Sequence, residues 1–237
     1  VFYADGGTGT TAFPGDSVVG GSGSDTLNIS VAGLSTAAVS INAIQTAGVE
    51  KLLVTNFDTN ATGAQETTID TSLMVGLTSV GLNASSAVGD TVFSNLASIV
   101  DATLANGSGD LNLNYIASVV VGTSDIQKVA VSNVTAGTFD APKMETIEIS
   151  SSTVKSVLTD ITSDTLKTLT VTGDKDLTVS NSIDFAATAN GAVIDGTIDA
   201  STFSGKLNVL ATTAQTLSVT GGSGNDTISL AARLTKN

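Results

Sequence analysis

The stretch Met144-Glu145-Thr146-Ile147-Glu148-Ile149 carries apolar residues at its first, fourth and sixth positions. Its last three residues alternate apolar and polar side chains, which is the two-residue period of a β-strand with one buried face. The same spacing recurs along the chain at Val49-Leu52-Val54, Leu77-Val80-Leu82, Ile116-Val119-Val121, Ile126-Val129-Val131, Leu166-Leu169-Val171 and, with Ala first, Ala214-Leu217-Val219. The chain is therefore predicted to contain many short strands that each bury one face.

The distance between these copies predicts how the strands are arranged. Neighbouring copies often begin about 20 residues apart, namely at Leu77, Leu96 and Ile116 and again at Ile126, Met144 and Leu166. A coil of about 20 residues with two or three short strands is the repeating unit of a parallel β-solenoid. The sequence thus predicts an all-β fold of the parallel β-solenoid class. The alternative is an antiparallel β-sandwich, which also has short strands separated by turns.

The segments between the apolar positions carry further expectations. Polar side chains in or near the two positions that separate the first and second apolar residues are expected to point outward; they are Glu50, Lys51, Gln127, Lys128, Glu145, Lys155 and Lys167. The stretches 71–77 and 185–189 are too short for a stable amphipathic helix and are predicted to be loops.

Composition limits the core and the partners. Hydrophobic residues make up 41% of the 237 residues, aromatic residues only 4%, and Trp is absent, which suits a narrow core of small side chains. The net charge is −13 with nine Lys and Arg. This argues against nucleic-acid binding, since phosphates are neutralised by clustered basic residues. A compact chain this acidic repels itself unless divalent cations bind between its carboxylates, so Ca²⁺ is the expected cofactor.

Residue types that are missing narrow the chemistry. The chain has no Cys, which excludes disulfides and thiolate metal sites, and no His, which removes the usual general base. We therefore predict that the protein is not an enzyme. No stretch approaches the roughly 18 to 20 apolar residues of a transmembrane segment, and no signal peptide opens the chain. Because residue 1 is Val, the chain is expected to be a processed product or a fragment.

Two segments share the form Gly-Gly-x-Gly-x-Asp-x-apolar-x, at residues 20–28 (GGSGSDTLN) and 221–229 (GGSGNDTIS). Their glycines let a tight turn expose carbonyl oxygens and the Asp adds a carboxylate, so half of a calcium shell is made within six residues. They resemble the repeats-in-toxin (RTX) nonapeptide family, whose repeats form calcium-binding β-rolls. The resemblance implies metal sites built from Asp25, Gly21 and Gly23 in the first motif and from Asp226, Gly222 and Gly224 in the second.

In that family a neighbouring repeat supplies the second half of the calcium shell, whereas each motif here stands alone. Asp16 lies nine residues before Asp25, one nonapeptide away, and is the predicted partner in the first site. No comparable partner follows Asp226. For both motifs the alternative is a glycine turn without metal. Three related corners, at 89–92, 107–111 and 173–177, are predicted to be turns capped by an Asp without an ion.

The amino-acid composition of the strands indicates a class of protein. Thr-, Ser-, Ala- and Val-rich strands with no Cys and a single Arg resemble the surface-layer and large adhesin proteins that Gram-negative bacteria export by type I secretion. The resemblance implies an extracellular, cell-surface protein that self-associates into an array, with cell-surface polysaccharide bound through another part of the full-length protein. The expected function is a structural component of a bacterial cell-surface assembly. The alternative is the stalk or binding module of a secreted, calcium-dependent adhesin.

Two further expectations follow from these motifs. The phenylalanines between strands are candidate contact residues of an adhesin, although they are expected chiefly to fill corners of the core; they are Phe57, Phe93, Phe139, Phe185 and Phe203. The predicted segments are a calcium-binding turn with the first strand (1–30), a solenoid body (31–220) and a second RTX-like turn (221–237). We predict one module of a longer tandem array punctuated by such turns.

Overall fold

The structure is a computed structural model that describes residues 2–5, 15–31, 39–57, 66–186, 188–189, 192–193, 195–212 and 216–230. The regular secondary structure of these residues consists of β-strands, without a helix. The chain folds as two compact units, Val1–Val121 and Gly122–Asn237. The division into 1–30, 31–220 and 221–237 stays a prediction, and the sequence pattern did not indicate a boundary near residue 121.

The first unit is built from parallel strands. Its strands are β1 (Phe2–Asp5), β2 (Ser17–Val19), β3 (Thr26–Val31), β4 (Val39–Ile41), β5 (Gln45–Ala47), β6 (Lys51–Asn56), β7 (Thr67–Asp70), β8 (Ser79–Asn83), β9 (Thr91–Leu96), β10 (Asp101–Ala105) and β11 (Leu111–Tyr115). One sheet has the order β1-β3-β6-β8-β10 and a second has the order β4-β7-β9-β11, while β2 pairs with β5. All of these pairs are parallel.

The second unit repeats this plan. Its strands are β12 (Ile126–Ser132), β13 (Phe139–Asp140), β14 (Thr146–Ser151), β15 (Ser156–Thr162), β16 (Thr168–Gly173), β17 (Leu177–Asp184), β18 (Thr188–Ala189), β19 (Ala192–Val193), β20 (Asp195–Asp199), β21 (Leu207–Thr212), β22 (Thr216–Thr220) and β23 (Thr227–Leu230). The parallel sheets are β12-β14-β16-β20-β22 and β13-β15-β17-β21-β23, and β18 and β19 form a short antiparallel hairpin.

The strand register makes each unit a parallel β-solenoid, which confirms the predicted fold class. In the first unit, Leu27 pairs with Leu52, and Leu52 pairs with Val80 on the next coil. Each coil thus supplies one strand to each sheet and stacks on the coil before it. A β-sandwich would instead need antiparallel neighbours. Paired positions are 20 residues apart between β12 and β14 and 29 apart between β16 and β20, whose coil carries the β18–β19 hairpin.

The core of each solenoid is a set of apolar columns. Strands β3, β6 and β14 alternate buried and less buried side chains, as the two-residue period predicts. In the second unit Ile147, Leu169 and Ile198 occupy one register position on three successive coils, and all three are fully buried. Burying such a side chain contributes about 1.5–3 kcal/mol. Stacking of aliphatic side chains at the same register position therefore explains how short strands with few aromatic residues form a core.

Two copies of the sequence pattern were interpreted wrongly. Ile116-Val119-Val121 is a turn rather than a strand, closed by the hydrogen bond from Val119 N to Ile116 O, and its two outer residues are exposed. In the copy that begins at Ile126, the core position in register with Ile147 is taken by Gln127, so Ile126 faces outward. Ala214, the first residue of the last copy, lies outside the described residues.

Loops and aromatic side chains follow the expectations more closely. Residues 71–77 are not helical, and Met74 within them forms a single bridge to Thr46. Residues 185–186 are likewise outside any helix, and 188–189 belong to β18. Four phenylalanines are buried in the core, namely Phe93, Phe139, Phe185 and Phe203, whereas Phe57 is 50% exposed. Phe93 and Phe139 lie within β9 and β13, so the expectation that they lie between strands was wrong.

Candidate cation sites at the solenoid corners

The first nonapeptide forms the corner between β2 and β3. Gly20 N donates to Ala47 O at 2.9 Å, and a Cβ on Gly20 would lie 1.8 Å from Gly48 O, so the two coils touch backbone to backbone here. Gly21 and Gly23 have φ angles of 95° and 118°, in the left-handed region that favours glycine. The sequence Gly-Gly-x-Gly is therefore explained by close approach at Gly20 and by backbone conformation at the other two.

Asp25 ends this corner beside a second carboxylate, Glu50, from the following coil. Asp25 N donates to Glu50 Oε2 at 2.8 Å, and Asp25 O accepts from Glu50 N and Lys51 N. Asp25 Oδ2 is buried and has no hydrogen-bond partner. A buried carboxylate oxygen without a donor is unfavourable unless a cation offsets its charge. Oxygen ligands of this kind are those that Ca²⁺ prefers, so the residues present fit the predicted ion.

The structure places Glu50 beside Asp25, and the sequence analysis had not proposed Glu50 as a ligand. Asp16 lies on the turn before β2, where its carbonyl oxygen accepts from Gln45 N at 2.9 Å. Its role as a calcium ligand stays a prediction. Glu50 was expected only to point outward, although it precedes β6 as Asp25 precedes β3. That shared position before paired strands is the signal that could have identified it.

The second nonapeptide lies at a corner of the second unit, where Asp226 directly precedes β23. Both of its carboxylate oxygens have backbone donors: Oδ1 accepts from Leu207 N at 2.9 Å and Oδ2 from Gly222 N at 2.8 Å. These hydrogen bonds favour a capping role for Asp226. Calcium binding by Asp226 stays a prediction, but the structure gives this carboxylate protein donors that Asp25 lacks.

The glycines of the second motif also have a packing role. A Cβ on Gly222 would lie 2.2 Å from Phe203 O, and one on Gly224 would lie 2.2 Å from Gly205 O. Both contacts are with the backbone of the preceding coil. The two glycines therefore let the last corner approach that coil closely, whether or not an ion is bound.

Two of the related corners use an Asp as a backbone cap. Asp90 Oδ1 accepts from Asp110 N at 3.4 Å, and Asp176 Oδ1 accepts from Lys206 N at 2.9 Å. Burial raises the pKa of Asp90, and the nearby charge of Glu66 raises it further, while the hydrogen bond from Asp110 N opposes the rise. These contacts agree with the capping role predicted for such corners.

A second acidic pair occurs in the second unit, where the sequence had indicated no site. Asp125 N donates to Glu145 Oε2 at 2.9 Å, and Asp125 Oδ2 is buried without a hydrogen-bond partner. Glu145 is only 6% exposed and Gln127 is fully buried, so the expectation that both point outward was wrong. Gln127 occupies a core position of β12, and Glu145 turns toward the Asp125 backbone, which supplies the donor its carboxylate needs.

Neither acidic pair belongs to a larger cluster of ligands. Within the described ranges, no group of three or more His, Cys, Asp or Glu residues is placed to hold a metal ion. A cation at either corner would therefore rely on two carboxylates together with carbonyl oxygens and water, a ligand set that Ca²⁺ accepts. The same residues include no helix long and apolar enough to cross a bilayer.

Comparison with known proteins adds no relative to the contacts described above. No protein-family model, no curated protein and no solved structure matches the chain.

Proposed function

We propose that the chain is a structural, non-enzymatic component of a bacterial cell-surface assembly, such as a surface-layer lattice or a related extracellular array, and that Ca²⁺ stabilises it. The observation that carries the proposal is the corner at Asp25, where the RTX-like turn holds a buried carboxylate oxygen without a donor and the Asp25 backbone N–H donates to Glu50. The parallel β-solenoid supports it, because stacked coils are a stiff unit suited to arrays. The absence of His and Cys from the sequence favours a non-catalytic role.

The remaining parts of the proposal concern location and partners. We place the protein outside the cell, exported by type I secretion, and its main partner is another copy of itself in the array. Cell-surface polysaccharide would be bound through another part of the full-length protein. The net charge of −13 supports assembly that depends on divalent cations, since like-charged copies repel one another without them.

A second candidate function is the stalk or binding module of a calcium-dependent adhesin. The observation that favours it is Phe57, which is 50% exposed directly after β6. An exposed aromatic ring beside a rigid sheet is the kind of residue that contacts a glycan or a protein partner. Phe93, Phe139, Phe185 and Phe203 are buried, so Phe57 is the candidate contact residue.

Calcium is expected to raise the thermal stability of the protein, and a chelator is expected to lower it. A ligand that binds only the folded state adds about 2.7 kcal/mol at a concentration about 100 times its Kd. Asp25→Asn should reduce this rise, and in chelator the variant should be at least as stable as wild type because it lacks the buried charge. Asp176→Asn is the matched control and should keep the full rise. A melting temperature independent of calcium in differential scanning calorimetry would contradict the calcium claim.

Electron microscopy of the purified chain separates the two candidate functions. With calcium, the array function predicts ordered sheets or filaments, which a chelator should disperse. The adhesin function predicts single particles under both conditions. Phe57→Ala is a useful companion variant, since it should leave sheets or filaments intact if the array function is right. Monodisperse particles at high calcium and high protein concentration would overturn the array proposal.

A further inference from the structure

Asp125 and Glu145 lie at a corner of the second unit that resembles no calcium motif in sequence. The corner reads Gly122-Thr123-Ser124-Asp125 and lacks the Gly-Gly-x-Gly run of the nonapeptides. Gly122 shapes it, because a Cβ there would lie 3.3 Å from both carboxylate oxygens of Asp125. The Asp125 carboxylate therefore lies close to the Cα of Gly122, in the same turn.

The contacts of this corner match those of the Asp25 corner in the first unit. In each, the Asp backbone N–H donates to Oε2 of a Glu from the next coil, at 2.8 Å for Asp25 and 2.9 Å for Asp125. In each, that Glu immediately precedes the strand that pairs with the strand after the Asp. In each, Asp Oδ2 is buried and has no donor. Two corners of unlike sequence therefore have one arrangement.

Among the described residues, no basic side chain forms an ion pair with Asp125 or Glu145. The ion pairs of the described residues are Lys143–Asp164 and Lys175–Asp174, and neither includes Asp125 or Glu145. Glu145 is more than nine-tenths buried, so water screens its charge poorly. Glu145 Oε2 lies at the Asp125 backbone N–H and Asp125 Oδ2 is buried without a donor, so a cation bound at this corner would offset the charge of both side chains.

The accessibility of Asp125 Oδ2 bears on the choice of ligand. This oxygen exposes less than 1 Å² to solvent, so an ion bound to it would lie inside the corner. A calcium–oxygen bond of about 2.3–2.6 Å is shorter than a hydrogen bond between oxygens, and Ca²⁺ tolerates irregular shells. Mg²⁺ demands near-octahedral geometry at about 2.0–2.1 Å, so Ca²⁺ is the better candidate for an irregular corner.

We infer that Asp125 and Glu145 form a second calcium-binding corner, in which the carboxylates of two successive coils hold the ion between them. The site is carried by contacts of the second unit alone and does not depend on calcium at Asp25. The ion would join the coil that contains β12 to the coil that contains β14, at a position where the hydrogen bond from Asp125 N to Glu145 already connects them.

The test is the number of Ca²⁺ ions bound per chain, measured by equilibrium dialysis with radioactive calcium. Wild type should lose one equivalent on Asp125→Asn, and Asp25→Asn combined with Asp125→Asn should lose two. Asp90→Asn is the control, because the Asp90 carboxylate is a partly buried corner group with a backbone donor. This variant should bind as many Ca²⁺ ions per chain as wild type. Retention of the full count in Asp125→Asn would overturn the inference.

The outcomes for the two corners are distinguishable. One equivalent lost with Asp125→Asn and none with Asp25→Asn supports this inference while contradicting calcium at the first corner. The reverse result overturns this inference and leaves the proposed function in place. If Asp125→Asn does not fold, Glu145→Gln replaces it, since the amide oxygen can still accept from Asp125 N. Glu145→Gln should also lose one equivalent, and a full count in that folded variant contradicts the site.

Discussion

Replacing Gly20 by Ala is expected to lower the free energy of unfolding of the first unit by about 4 kcal/mol, the upper range for a single overpacked site. A Cβ at this position would lie 1.8 Å from Gly48 O and 2.8 Å from Asp25 Cβ. The first of these is a backbone atom, which cannot move without displacing the neighbouring coil. The hydrogen bond from Gly20 N to Ala47 O would be strained at the same time.

Gly21→Ala is the control for this prediction, because it changes the adjacent glycine of the same motif. Gly21 has a φ of 95°, but a Cβ there would meet nothing within 4 Å. Its replacement should cost about 1–2 kcal/mol from backbone strain alone. Urea unfolding of both variants measures the difference. Equal losses would mean that the corner relaxes around Gly20 and that close approach of the coils does not explain the glycine.

How far the sequence predicts this fold is clearest at Met144-Ile147-Ile149. The period of two and the recurrence about every 20 residues were sufficient for a parallel solenoid, because each coil must present the same apolar positions to its neighbour. The pattern failed at Ile116, where the same spacing is a turn. Apolar spacing alone does not distinguish a buried strand from an exposed turn, because both can have apolar residues at the first, fourth and sixth positions.

The candidate sites were predicted less completely, for a different reason. The glycines and Asp25 could be recognised because they are local in sequence. Glu50 is 25 residues away from Asp25, and its position beside Asp25 depends on the length of the intervening coil. Paired positions on successive coils are 19 to 30 residues apart because the loops differ in length, so the pairing of Glu50 with Asp25 could not be read from a fixed period. Asp125 and Glu145 are 20 residues apart, which is the predicted period, but the corner before Asp125 lacks the Gly-Gly-x-Gly run that marks the nonapeptides.

The two nonapeptides also illustrate what sequence identity leaves open. Residues 20–28 and 221–229 are identical at six of nine positions, yet their aspartates have different surroundings. Asp226 has two backbone donors, and the Asp25 carboxylate has a buried oxygen with none. The surroundings of the carboxylate, which the adjacent coil supplies, therefore decide between a cap and a candidate ion site.

Phe139 is the residue of the second unit whose truncation should be most damaging. It forms β13 with Asp140 and pairs with Ile161 of β15, and its side chain is fully buried. In a core with few aromatic residues, this ring fills a volume that the surrounding small side chains cannot reach by relaxing.

Phe139→Ala is expected to lower the free energy of unfolding by about 4 kcal/mol, from lost burial and from the cavity left behind. Phe139→Leu is the control and should cost about 1 kcal/mol, because most of the volume is retained. Urea unfolding of the two variants gives both values, and native-state hydrogen exchange should localise the larger loss to residues 139–162. A loss for Phe139→Ala no greater than that for Phe139→Leu would mean that the coils collapse around the cavity, in which case the solenoid core is far more compliant than its stacked register implies.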